Sequence, residues 1–141
     1  MSQLKIDDDL IFDSDYSTSE KKTGATWTDG KPIYRVSVSG NVTPTVYASR
    51  AGAKLEKVIN NLDTLVNAYG FGKFNGGTYN KRRFSINGYL VNTDLTFLVG
   101  GAFRLADDGK TVDGTIFIKD GTLTPTSVDM VMTIEYTKTT D

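Results

Sequence analysis

Between residues 128 and 137 apolar and polar side chains alternate. Val128, Met130, Met132, Ile134 and Tyr136 fall on one side of an extended chain, and Asp129, Thr133, Glu135 and Thr137 on the other, with Val131 the exception. This predicts a half-buried strand in an antiparallel sheet, because parallel strands are buried on both faces and lose the alternation. Further strands are predicted over residues 23–27, 32–38, 83–86, 89–91, 94–105 (with a break at Gly100-Gly101) and 115–119. Asp29-Gly30, Asn87-Gly88, Asp108-Gly109 and Asp120-Gly121 separate them. Each pairs a residue that tolerates positive φ with one that has no Cβ, so hairpins or meanders are expected.

A different rhythm runs through residues 54–69. Leu55, Val58, Ile59, Leu62, Leu65, Val66 and Tyr69 recur at spacings of three and four, the stripe of an amphipathic helix. Asn60-Asn61 interrupts the stripe and Gly70 and Gly72 follow it, which favours strands. Helix and strand both stay open for this segment.

Composition narrows the field. Nineteen Thr and 14 Gly against three Pro suit many short strands joined by tight turns. A chain of 141 residues is one domain's worth, and no repeat or linker divides it. With neither Cys nor His, thiol nucleophiles, disulfides, soft-metal sites and the usual neutral-pH proton shuttle are gone. Net charge is -1 with both signs interspersed, which disfavours nucleic acid as the main ligand. No apolar run is long enough for a signal peptide core or a membrane span, so a protein without membrane insertion or an export signal of its own is expected. Residues 1–15, with Asp7, Asp8, Asp9, Asp13 and Asp15 around Leu10-Ile11-Phe12, read as an N-terminal arm ordered against a neighbouring subunit.

Two stretches carry a resemblance. The chain reads Tyr16-Ser17-Thr18-Ser19-Glu20, then Gly24-Ala25-Thr26-Trp27-Thr28-Asp29-Gly30-Lys31-Pro32-Ile33-Tyr34-Arg35, and it closes on Ile134-Glu135-Tyr136-Thr137-Lys138-Thr139-Thr140-Asp141. These resemble the two ends of a structural module of tailed bacteriophages, of the tail-fibre, head-fibre or receptor-binding type, and Asn61-Leu62-Asp63-Thr64 is similar to an internal segment of it. The likeness spans residues 16–141 and departs at Lys21-Lys22-Thr23, at Thr28 and throughout 71–113. That middle region is open to a different binding specificity or to none. The resemblance implies an antiparallel β-sandwich or jelly-roll-like domain, homotrimeric and located in a virion assembled in the host cytoplasm. It further implies a small fibre, tip or capsid-decoration component touching other virion proteins or host-surface carbohydrate, and the lack of Cys and His adds the expectation of no enzymatic activity and no cofactor. Trp27, Asp29, Gly30, Pro32, Tyr34, Ile134 and Tyr136 read as its structural motif. A hairpin at Asp29-Gly30 would bring Trp27 and Tyr34 close, and Pro32 suits the start or edge of the returning strand.

Candidate chemistry is sparse. The acidic clusters lack the layout of an EF-hand, and Asp107-Asp108-Gly109-Lys110 reads as a turn. Nothing marks the carboxylate pair of a glycosidase. Gly70, Gly72, Gly76 and Gly77 lack the ending of a phosphate-binding loop and read as sites of bulges or bends. Tyr79-Asn80-Lys81-Arg82-Arg83-Phe84 is either a loop gripping an anionic wall polymer or neighbouring virion protein, or a solvated surface. Tyr79, Lys81, Arg82 and Tyr89 are the candidate surface-binding residues. An adhesin should expose a shallow aromatic groove, a decoration protein an apolar patch, and the chain's length beside the module's tips the reading towards decoration. The rival class is a carbohydrate-binding module or cryptic glycan hydrolase.

Overall fold

A computed structural model describes residues 17–47, 49–91 and 97–140. The chain folds into strands β1 (Lys21–Thr26), β2 (Pro32–Val42), β3 (Thr45–Tyr47), β4 (Arg50–Val58), β5 (Leu62–Asn75), β6 (Arg83–Ser85), β7 (Tyr89–Val91), β8 (Phe97–Leu105), β9 (Thr111–Ile118) and β10 (Ser127–Lys138). A single 3-10 turn spans Gly121–Leu123, and the described residues contain no α-helix. Two antiparallel five-stranded sheets face each other: sheet A in the order β1-β2-β10-β5-β6, sheet B in the order β3-β4-β9-β8-β7. The protein is an all-β sandwich. β2 neighbours β10 in sheet A and β4 neighbours β9 in sheet B, the pairing of a jelly-roll-like wrap. The strands between them form a hairpin and a meander, each local to its own sheet. The arm expected over 1–15 lies outside the described residues.

The core fills the space between the sheets. Val128, Met130, Met132, Ile134 and Tyr136 all point inward from β10 and are at most 2% exposed. Leu55 and Phe103 pack against both halves of this core and join them. The outer face of β10 is drier than its sequence pattern predicts. Thr133 and Thr137 are also buried, because β10 is the central strand, and its neighbours supply polar partners. Ser37 and Thr133 share a hydroxyl hydrogen bond of 2.7 Å, and the Thr137 hydroxyl accepts from the Thr64 N–H at 3.2 Å.

The segment 54–69 is strand, and its helical rhythm has a structural cause. Two register irregularities lie where β5 begins its pairing with β10: Lys138 faces Leu62, Tyr136 faces Leu65, and Ile134 faces Ala68. Each two-residue step on β10 therefore meets a three-residue step on β5. Residues 62, 65 and 68 share a face through bulges, without a helix. Ile59 to Leu62 forms the turn between β4 and β5, closed by the Leu62 N–H on the Ile59 carbonyl at 3.2 Å.

Other expectations need correction. The strand predicted over 94–105 runs unbroken through Gly100-Gly101 from Phe97, while residues 92–96 lie outside the described residues. A Cβ on Gly101 would stand 1.9 Å from the Ile86 carbonyl oxygen, so this glycine admits the chain crossing between the sheets. Likewise Gly70 and Gly72 sit in unbroken register against Met132 and Met130. Their missing Cβ atoms make room for the Val131 carbonyl and the Ile116 side chain, and they form no bulge. Asp29-Gly30 and Asp108-Gly109 do close hairpins, with φ of 86° and 73° at the glycines. Asn87-Gly88 and Asp120-Gly121 instead carry the chain from one sheet to the other. The short strand β3 and the first half of β4 escaped the sequence pattern, since Ala51, Gly52 and Ala53 give little hydrophobic contrast.

Two outcomes follow. Gly101→Ala should lose about 1–3 kcal/mol of unfolding free energy in urea, the usual cost of overpacking; an unchanged midpoint would contradict the close approach at Ile86. In the β8–β9 turn the Asp108 carboxylate accepts from the Thr111 hydroxyl and from the N–H groups of Lys110 and Thr111, which holds its pKa down at about 2 from 3.8. A depressed folded-state pKa means the unfolded chain takes up the proton first. The contribution is therefore complete above pH 4 and fades as pH falls towards 2. Asp108→Asn should flatten that part of the acid-unfolding curve, and an identical slope would refute the assignment.

Candidate functional site

The structure divides the residues singled out from sequence. Tyr79, Lys81 and Arg82 lie together on the loop joining β5 to β6 in sheet A. The Arg82 guanidinium sits 5.5 Å from the Tyr79 ring centroid, and Tyr79 meets Phe84 edge-on at 6.0 Å. Tyr89 opens β7 in sheet B, opposite Gly100, and its side chain lies outside the description. The motif residues serve the fold. Trp27, Asp29 and Gly30 close the β1–β2 hairpin, with the Gly30 N–H on the Trp27 carbonyl and the Lys31 N–H on Asp29 Oδ1. Pro32 starts β2. Tyr34 faces Lys22 across the hairpin and stacks on Tyr136 at 6.2 Å, so its aromatic partner comes from the other end of the chain rather than from Trp27. The Tyr136 hydroxyl donates to Glu20, and burial together with that carboxylate pushes the phenol pKa up.

Sequence reasoning missed a concave surface on the outer face of sheet B. Along β9, Val112, Gly114, Ile116 and Ile118 face the core, so Asp113, Thr115 and Phe117 face outward. Pairing aligns Thr45, Gly52, Phe117, Gly100 and Tyr89 in one row across all five strands. Phe117 thus has glycine on both sides, and its ring stays 40% exposed with a flat floor around it. The next row is Lys54, Thr115 and Ala102, and the one after is Glu56, Asp113 and Arg104. From these rows Thr45, Gly52, Phe117, Lys54, Thr115, Ala102, Asp113 and Arg104 line an open groove of about 630 Å³, apolar at the Phe117 end and charged at the Asp113 end. An aromatic at an outward position of a predicted strand was the signal available in the sequence.

Asp113 is only 3% exposed, and Arg104 Nε and Nη2 reach its Oδ2 at 3.3 and 3.2 Å. Both bonds fall on Oδ2, which leaves Oδ1 as an acceptor. Of the five guanidinium N–H donors, three remain for a ligand. Lys54, Thr115 and this pair offer donors and acceptors beside an apolar ring, the arrangement that grips a polyhydroxylated ring by one face and its edge.

The carboxyls of Asp63, Asp108, Asp120 and Asp129 are shifted downward by hydrogen bonds, and these four lie away from the groove. Among the described residues no group of three or more Asp, Glu, His or Cys side chains is placed to hold a metal, and no helix is long and apolar enough to cross a membrane. No family model, no curated protein and no solved structure matches the chain.

Removing Arg104 strands a buried carboxylate. Arg104→Met should cost about 1–3 kcal/mol in urea unfolding, as for a buried charged acceptor that loses its donor. Adding Asp113→Asn should restore part of the loss. A single mutant as stable as the parent would mean that Asp113 does not depend on this partner.

Proposed function

We propose that this protein is a small structural component of a tailed-bacteriophage particle, homotrimeric, that attaches to host-surface saccharide through the outer face of sheet B. The observation that carries the attachment role is Phe117, held on a glycine floor beside the Asp113–Arg104 pair. A pyranose presents an apolar face that stacks on such a ring, and hydroxyl edges that bond to carboxylate and guanidinium. The phage assignment is supported by the resemblance of the chain's two ends to a phage module. In the fold these ends form one unit: Arg35 of the opening segment is ion-paired with Glu135 of the closing one at 2.8 Å, and Tyr34 stacks on Tyr136.

Within this reading the shallow aromatic groove favours attachment over pure decoration. A carbohydrate-binding module outside any virion would use the same groove, so the particle assignment needs its own measurement. Trimeric assembly supplies the affinity, since several modest contacts on one particle combine through effective concentration.

Light scattering on the purified chain should return the mass of three copies, and fluorescent protein should label host cells and bind their isolated surface glycans. Phe117→Ala should leave stability within about 0.5 kcal/mol, as exposed substitutions do, yet weaken glycan binding by about tenfold. A monomer would remove the trimeric fibre-module reading. Glycan binding indifferent to Phe117 would remove the groove, and release of reducing ends would turn the assignment to a hydrolase.

A further inference from the structure

A second surface, separate from the groove, is defined by charge. Lys73, Lys81, Arg82 and Arg83 are all exposed on the hairpin β5–β6, with Lys73 directly opposite Arg83 across the strands. Elsewhere Lys31, Arg35, Lys54, Arg104 and Lys138 each meet a carboxylate. Among the described residues none of the hairpin's four cations forms an ion pair. Asp129 stands opposite Lys73 across β10 and β5 and acts on it through its field, while its carboxylate accepts from Asn41 at 2.8 Å. In a chain of net charge -1, four cations against the single neighbouring carboxylate of Asp129 are a local excess of positive charge among the described residues.

The hairpin is also built to hold those charges in place. Phe74 is fully buried and packs on Phe84 with ring centroids 4.8 Å apart. The Phe74 carbonyl takes the Lys81 N–H at 2.7 Å, and its own N–H reaches the Arg82 carbonyl at 2.9 Å. Gly76 N–H on Asn80 Oδ1 at 2.6 Å closes the tip. Lys81 has φ of 67°, the left-handed conformation that a lysine rarely adopts, and it is the only such non-glycine among the described residues. Arg82 lies against Tyr79, and Arg83 lies 4.2 Å from the Phe71 ring centroid. A guanidinium held against a ring keeps its planar N–H edge for an anion that offers two oxygens side by side, as the non-bridging oxygens of a phosphodiester do.

We propose that the β5–β6 hairpin is a docking site for a phosphodiester-linked polyol or sugar polymer, gripped by Arg82 and Arg83 with Lys73 and Lys81 adding charge. Four cations along one hairpin, two of them held against rings, match a repeating anion better than a single one. Nucleic acid is the less favoured phosphodiester, because Tyr79 and Phe71 carry arginines where bases would stack, and the chain as a whole is not basic. This site does not depend on the groove or on the phage reading.

The test is binding of the full chain to synthetic polyglycerol phosphate at low and at physiological salt. Wild type should bind, with affinity falling steeply as salt rises, and Arg82→Gln with Arg83→Gln should lose about tenfold or more. Phe117→Ala should bind as wild type does. Lys73→Gln, away from the aromatic contacts of the loop, should give a smaller loss with a shallower salt dependence. It keeps the test decisive if the double variant unfolds. Absence of binding at low salt, indifference to both sets of substitutions, or tighter binding to single-stranded DNA than to the polyol phosphate would each overturn the proposal.

Discussion

The rest of the sandwich depends on β10 being enclosed. It lies between β2 and β5 and sends five large side chains into the space between the sheets, none more than 2% exposed. Burying a side chain of that size contributes about 1.5–3 kcal/mol, so this strand is the largest single source of apolar burial. Its register with β2 runs without a break from Val128 against Val42 to Tyr136 against Tyr34. That alignment places the first two described strands and the last one in a single sheet. Glu20 reinforces the join by accepting from both the Tyr136 hydroxyl and the Lys138 ammonium group.

Close approach between the sheets then rests on glycine. Gly114 on β9 leaves space for the Phe103 ring and the Met132 sulfur, and Gly72 on β5 for Ile116 and Val128. Met132 meets Gly114 and Ile116 meets Gly72 across the two sheets, so large side chains fill the space that the glycines leave. The same economy works outward. Gly52 and Gly100 clear the floor around Phe117, so one residue type serves interior packing and the groove.

Both candidate surfaces use strands as rigid supports. The groove lies on paired strands whose alternation sets every outward side chain. The basic hairpin is pinned from beneath by a buried phenylalanine and by backbone bonds across its neck. Neither surface needs a folding transition to form, so binding at either one gives up little conformational entropy.

The all-β class and most strands were legible because period-two alternation and Asp-Gly turns are local properties of the chain. So were the loop carrying Tyr79, Lys81 and Arg82 and the motif that closes on Tyr136. Three things were not. The spacing of Leu62, Leu65, Val66 and Tyr69 looks helical until the bulges against β10 are seen, and bulges belong to a pair of strands rather than to one. The roles of Gly70, Gly72 and Gly101 depend on which atoms approach from another strand or a crossing segment, so the same glycines suggested breaks and bends. The groove arises from Lys54, Asp113 and Arg104, which come from three strands, and only pairing register sets them side by side. Sequence by itself determined which residues alternate and where the chain turns, since both follow from backbone sterics within a few residues. Tertiary structure alone decided which strands became neighbours, and with that which outward side chains share a face.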